Sequence, residues 1–192
     1  MKICDLTFKE DTHSYFLGDL PIPSVSEIIR PIYQKVYGNI NENTLNIASE
    51  RGTRIHRAIE FLSKYNFCGI DTDISGYVEA YKKFKRKYKD WELLKSEFQT
   101  YHKSLLYGMT LDELYETPQG LVICDIKTTK VSHPNAWSVQ LSAYKSGYES
   151  HYKKVSKIMA LQLFDDGNYI LHELKDNFEI FLSCLQIYKF EV

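Results

Sequence analysis

A chain of 192 residues, 44% aliphatic, aromatic or cysteine and 26% charged, has globular composition. That excludes disordered and collagen-like classes and suits a single domain over 1–192. Lysine and arginine number 24 against 25 aspartates and glutamates, so there is no global pull toward a polyanion and any nucleic-acid surface must be local.

The predicted elements run in order along the chain. A hairpin is expected from Ile3 to Phe8, a polar turn at Glu10, Asp11 and Thr12, and Tyr15 to Leu17, closed by Pro21 and Pro23. Ser24 with Glu27 three residues later is a capping-box signature, which predicts a short helix to about Pro31; a linker containing Gly38 follows. Leu45, Ile55, Ile59 and Leu62 at helical spacing predict a helix over about 43–64, and a second pattern covers about 74–88. From Leu93 to Lys127 the period becomes that of a three-stranded meander, with turns near His102 and Lys103 and at Thr117-Pro118-Gln119-Gly120. Pro134 opens a helix to about Tyr148, a hairpin follows over 156–164 and 169–174, and a last amphipathic helix spans about 177–190. Cys4, Cys68, Cys124 and Cys184 form no C-x-x-C pair, so they read as reduced, mostly buried thiols. No uncharged apolar run approaches ~18 residues, and the expectation is a soluble, cytoplasmic protein with no membrane association.

The turn at Pro118 carries the sharpest inference. If Thr117 faces Gly120, then Asp112 faces Asp125, unless a glycine bulge at 120 slips the register by one. Two carboxylates so opposed repel unless a cation lies between them, and Lys127 joins them by the period-2 rule of strands. Cys124 and Ile126 then point the other way, into the core with Val122. Such a set suits metal-assisted phosphodiester hydrolysis, and equally a surface charge cluster. Glu97 offers a further oxygen. His56 and Glu60 share a helical face that Gly52 leaves open, and Gln140 and Tyr144 repeat the i, i+4 spacing on the later helix.

Taken together, RGTRIH at 51–56, Glu97, GMTLD at 108–112, DIK at 125–127 and QLSAY at 140–144 resemble the PD-(D/E)XK nuclease superfamily, in its RecB-like exonuclease branch. PIPSVSEII at 21–29 looks like the opening segment of phage and mitochondrial-type exonucleases of that branch, so the resemblance spans nearly the whole chain. It implies an α/β fold with a restriction-endonuclease-like core, a mixed central β-sheet flanked by helices. It also implies one or two Mg²⁺ or Mn²⁺ ions, with His56, Asp112, Asp125 and the Ile126 carbonyl around the metal and Glu97 serving a second metal or its water shell. Lys127 would position or activate the attacking water, and Gln140 and Tyr144 would orient Lys127 and the scissile phosphate. Some relatives carry a cysteine-bound iron–sulfur cluster; the lone Cys184 near the end of this sequence cannot supply its ligands, so none is expected. There is no P-loop, so unwinding would fall to a separate helicase or recombination protein.

For DNA contact the sequence offers one strong basic run, in which Lys82, Lys83, Lys85 and Arg86 fan out from a face formed by Tyr81, Phe84 and Tyr88; a solvated amphipathic helix would look the same. The implied activity is a Mg²⁺/Mn²⁺-dependent deoxyribonuclease, an exonuclease preferring single-stranded DNA or open ends, serving recombination or repair in a phage-infected or prokaryotic cell. A structure-selective endonuclease would use the same chemistry. A nucleic-acid-binding module without catalysis, or a protein-interaction module, are the readings from other classes. Digestion polarity, DNA versus RNA preference and oligomeric state have no readable signature.

Overall fold

The computed structural model describes residues 6–65 and 71–191; Ile3, Cys4 and Cys68 lie outside them. Strands β1 (Leu6–Lys9), β2 (Ser14–Leu17) and β3 (Leu20–Ile22) form a small antiparallel sheet. The third strand departs from expectation, because Pro21 lies within it rather than closing the hairpin. The ladder tolerates it because β3 pairs with β2 alone and is an edge strand.

Helix α1 (Val25–Ile28) carries the expected capping box, in which the Glu27 amide donates to Ser24 Oγ and the Ser24 amide donates to a Glu27 carboxylate oxygen at 2.6 Å. The expected linker is instead mostly helical: α2 covers Arg30–Tyr37. Pro31 sits in its first turn, where the missing N–H has no intrahelical partner to lose, so the proline starts a helix where the sequence reading had it end one. Next come α3 (Glu42–Tyr65), a 3₁₀ turn (Thr72–Ile74) and α4 (Ser75–Lys87).

The main sheet holds β4 (Glu92–Tyr101), β5 (Gly108–Thr117), β6 (Gly120–Lys127), β7 (Val155–Leu163) and β8 (Tyr169–Leu174) in that spatial order. Its only parallel pair is β6 with β7, joined across α5 (Pro134–Glu149); α6 (Phe178–Glu191) follows β8. The result is an α/β arrangement in which helices flank a five-stranded mixed sheet. Trp137 and Leu141 of α5 and Phe181 of α6 pack with Met109, Leu111, Ile123 and Ile158 in one core. Ile55, Ile59, Tyr77 and Phe84 of α3 and α4 pack with Val122, Cys124 and Leu161 in the other. Each such side chain stabilises the fold by roughly 1.5–3 kcal/mol on burial.

The small sheet is fixed to β5 at Gly108. Its amide donates to the Pro23 carbonyl at 2.8 Å, and a Cβ there would lie 2.2 Å from the Tyr15 ring, so only glycine permits the approach. Tyr15 Oη and Thr110 Oγ1 then share a hydrogen bond of 2.7 Å. Among the described residues no helix is long and apolar enough to cross a membrane. Cys124 and Cys184 are buried free thiols.

Candidate active site

The hairpin of β5 and β6 has the register expected from its turn. Thr117 pairs with Gly120, whose φ of 108° suits glycine, and the ladder continues in step to Glu113 and Cys124. Thr117 Oγ1 ties the turn by donating to the Gly120 carbonyl and accepting from the Gln119 amide. Asp112 comes next opposite Asp125, but regular pairing stops one step short: instead of a ladder partner, the Ile126 amide donates to Asp112 Oδ2 at 2.7 Å.

The irregularity extends to the other side of β5. Glu97 in β4 has φ of 49°, a left-handed backbone that costs a non-glycine residue about 1 kcal/mol or more, and the Glu97–Asp112 pair is missing from the β4–β5 ladder, which also shifts register once between Leu93 and Lys95. The alternation of β5 slips there. Met109, Leu111 and Leu114 all enter the α5 core, whereas Tyr115 enters the α3–α4 core. Glu113, beside the slip, is buried and accepts hydrogen bonds from Tyr81 Oη and Tyr115 Oη. Burial pushes its carboxyl above the ordinary range against those donors.

The slip turns Asp112 toward α3. His56 Nδ1 lies 3.6 Å from Asp112 Oδ2 and 3.9 Å from Glu97 Oε1, and ligand atoms of His56, Glu97 and Asp112 all fall within 4.8 Å of one another. Burial would lower the His56 pKa, but Asp112, Glu97 and Asp125 together raise it to about 9. Burial and the charge of Asp125 push the Asp112 carboxyl far above the usual carboxylate range, against the pull of His56 and the Ile126 amide.

Asp125 reaches the same cavity from a different direction, with its Oδ2 2.6 Å from Lys127 Nζ. That ion pair is the one contact holding this buried carboxylate oxygen among the described residues. Burial acts to lower the Lys127 pKa, and the neighbouring Asp125 charge outweighs it, leaving the ammonium strongly favoured. Lys127 Nζ donates to Gln140 Oε1 at 2.9 Å, and Gln140 Nε2 donates to Tyr144 Oη at 2.7 Å. Because both α5 residues project from one helical face, the lysine is held by a preformed chain of polar groups.

Every residue that the resemblance implied for metal or catalysis lines one cavity of about 800 Å³: His56, Glu97, Asp112, Asp125, Ile126, Lys127, Gln140 and Tyr144. The basic run of α4 does not. Lys82 is paired with Glu79 at 2.7 Å, and Lys85 lies over the Tyr115 ring and donates to its hydroxyl; Lys83 and Arg86 are exposed, but no α4 residue borders the cavity. Lys85 is not a free surface charge because the sheet beneath α4 offers it an aromatic face. The expected apolar face of Tyr81, Phe84 and Tyr88 does pack inward, the first two fully buried.

Sequence reasoning missed two contributors. Tyr33 of α2 donates to Gln140 Oε1 at 2.6 Å, and no signal announced it once α2 was read as linker. Arg57 also lines the cavity; its position one residue after His56 was visible, but its place on the cavity wall was not.

A pocket that gathers the carboxylates of Glu97, Asp112 and Asp125 beside the His56 imidazole fits a divalent cation bound through oxygen and nitrogen. No family model matches the chain, and no curated protein matches it. Among solved structures, the crystal structure of SSO0001 is similar over 70% of this chain and 68% of its own, at 12% identity and a TM-score of 0.38, a likeness that carries no argument about chemistry.

Proposed function

We propose that this protein is a Mg²⁺- or Mn²⁺-dependent deoxyribonuclease with a restriction-endonuclease-like core, cutting phosphodiesters from free ends of single-stranded or open DNA. What carries the reading is the convergence on one cavity of His56, Glu97, Asp112 and Asp125 with the protonated Lys127. His56, Asp112 and Asp125 would hold the cation, with the Ile126 carbonyl beside them and Glu97 for a second ion or its shell. Such a cation supplies Lewis acidity toward a phosphate oxygen and offsets the repulsion of the carboxylates.

The chain's own groups do the rest. Lys127, paired with Asp125, is a donor and charge clamp toward the phosphate or the attacking water. Gln140, fixed by Tyr33 and Tyr144, holds that ammonium in one orientation. Preorganised donors of this kind each contribute about 10²–10³-fold to rate where they have been removed singly.

The test is digestion of end-labelled linear single strands, linear duplex and closed circles with Mn²⁺ or with EDTA. The native protein should degrade linear DNA only with metal, and Asp125→Ala and Lys127→Ala should each lose at least about 10²-fold. Cutting of closed circles would make it an endonuclease. No cleavage of any substrate by folded, metal-supplied protein would sink the hydrolytic reading in favour of a binding module.

A further inference from the structure

We infer that the substrate strand runs in the cleft between α3 and the β1–β2 hairpin, with Arg57 holding a phosphate and the Phe8–His13 ring pair offering a stacking face to a nucleobase. The inference rests on the phosphodiesterase reading. It also moves the polyanion contact away from the basic run of α4.

The three arginines of α3 have different fates. Arg51 lies over the Tyr77 ring, and Arg54 is bound to both Asp71 and Asp73. Arg57 is exposed, lines the cavity one residue from His56 and has no carboxylate partner among the described residues. A guanidinium presents a planar fork of donors matched to phosphate oxygens. The other basic group on that wall, Lys64, is engaged by Glu60.

Across the cavity stand Phe8, His13 and Tyr15. Phe8 packs edge-on to His13, ring centroids 5.0 Å apart, and tilts against Tyr15 at 4.7 Å. His13 is exposed, and its φ of 50° in the tight hairpin turn holds the imidazole against Phe8 at the cavity rim. Stacking on such rings accepts any base, because every base has a π face. The carboxylates of Glu10, Glu60, Glu97, Asp112 and Asp125 share this space with Arg57, Lys64 and Lys127, so a divalent cation bound among the carboxylates would favour entry of a polyanion.

The test is fluorescence anisotropy of a labelled oligothymidylate and of an abasic strand of equal length, across salt concentrations in Ca²⁺, with the strands checked to remain intact. Arg57→Ala should lower the slope of log affinity against log salt by about 0.7, the share of one phosphate contact on a single strand. His13→Asn keeps a residue tolerant of left-handed backbone and removes the imidazole ring. It should weaken oligothymidylate at least about fivefold and leave the abasic strand unchanged. The double variant Lys83→Ala/Arg86→Ala should alter neither strand.

An unchanged slope in Arg57→Ala, equal weakening of both strands by His13→Asn, or a slope lost in the α4 double variant would each overturn the assignment. So would failure of the native protein to bind either strand. The expected pattern in Ca²⁺ without cleavage in Mn²⁺ would keep the binding track and retire the hydrolytic reading.

Discussion

The two strand pairs that meet at β5 are aligned by different means. On one side, β5 and β6 are joined by two residues, and the Pro118–Gln119 turn with the left-handed Gly120 sets every pair from Thr117 to Glu113. On the other, six residues separate β4 from β5, the pairing shifts once between Leu93 and Lys95, and the left-handed Glu97 leaves Asp112 without a ladder partner. A short turn dictates register locally, whereas a site built on a missing ladder pair with left-handed backbone stores strain that the surrounding structure must hold. Glu97 is both the source of that strain and a member of the candidate metal group.

Glycine exchanges of opposite sign separate the two mechanisms. Gly120→Ala should destabilise by about 1–3 kcal/mol in urea melts, because the φ of 108° suits no alanine and a Cβ there would lie 2.2 Å from Ser156 Oγ. Glu97→Gly should instead stabilise by up to about 1 kcal/mol as the strain is relieved. It should also weaken Mn²⁺ binding about tenfold, an effect of the size seen when a supporting group of a metal site is lost. Glu97→Ala should lose the same affinity without the gain in stability. A Glu97→Gly variant less stable than Glu97→Ala would show that the strained backbone is not what the position imposes.

On the α5 side of the site the expected effect is smaller. Tyr33→Phe keeps the ring stacked on Tyr37 and removes only the hydroxyl that donates to Gln140. The turnover rate should fall roughly fivefold, the worth of about one net hydrogen bond, with KM and melting temperature little changed. An effect on KM alone would mean that Tyr33 meets substrate rather than orienting Gln140.

The pH dependence follows from His56, whose pKa in the folded, metal-free protein is raised from 6.5 to about 9. The protonated ring is the form the carboxylates favour, so its contribution to stability is complete below 6.5 and is lost as pH rises through 9. Ligating a cation requires the neutral ring. Mn²⁺ binding at pH 7 should therefore release at least one proton, from His56 and from Asp112 with its raised carboxyl, and affinity should rise with pH and level off above about 9. Calorimetry in buffers of different ionisation enthalpy reads the proton count, and proton uptake on binding would contradict the scheme.

What could be read from the sequence follows the same division. The β5–β6 register, the meander, the capped helix at Ser24 and the inward face of α4 were legible, because each is set by residues a few positions apart. The slip at Asp112 was not, since nothing in the string Ser96-Glu97-Phe98 announces a left-handed glutamate. Pro31 and Pro21 misled for one reason: proline signals a boundary, and in both cases it lies where its missing N–H has no partner to lose. Lys82 and Lys85 looked like free charges because their partners, Glu79 and Tyr115, are settled by rotamer and tertiary packing. The candidate site residues were singled out through their ordered motifs; spacing alone left a surface charge cluster equally open.

The measurement that bears most directly on the whole account is Mn²⁺ titration followed by electron paramagnetic resonance, comparing native protein with Asp112→Asn. The account predicts uptake of one or two ions per chain, tighter than about 1 mM, and loss of that uptake in a variant that melts like the native protein. No uptake by the native protein, or equal uptake by the folded variant, would contradict it.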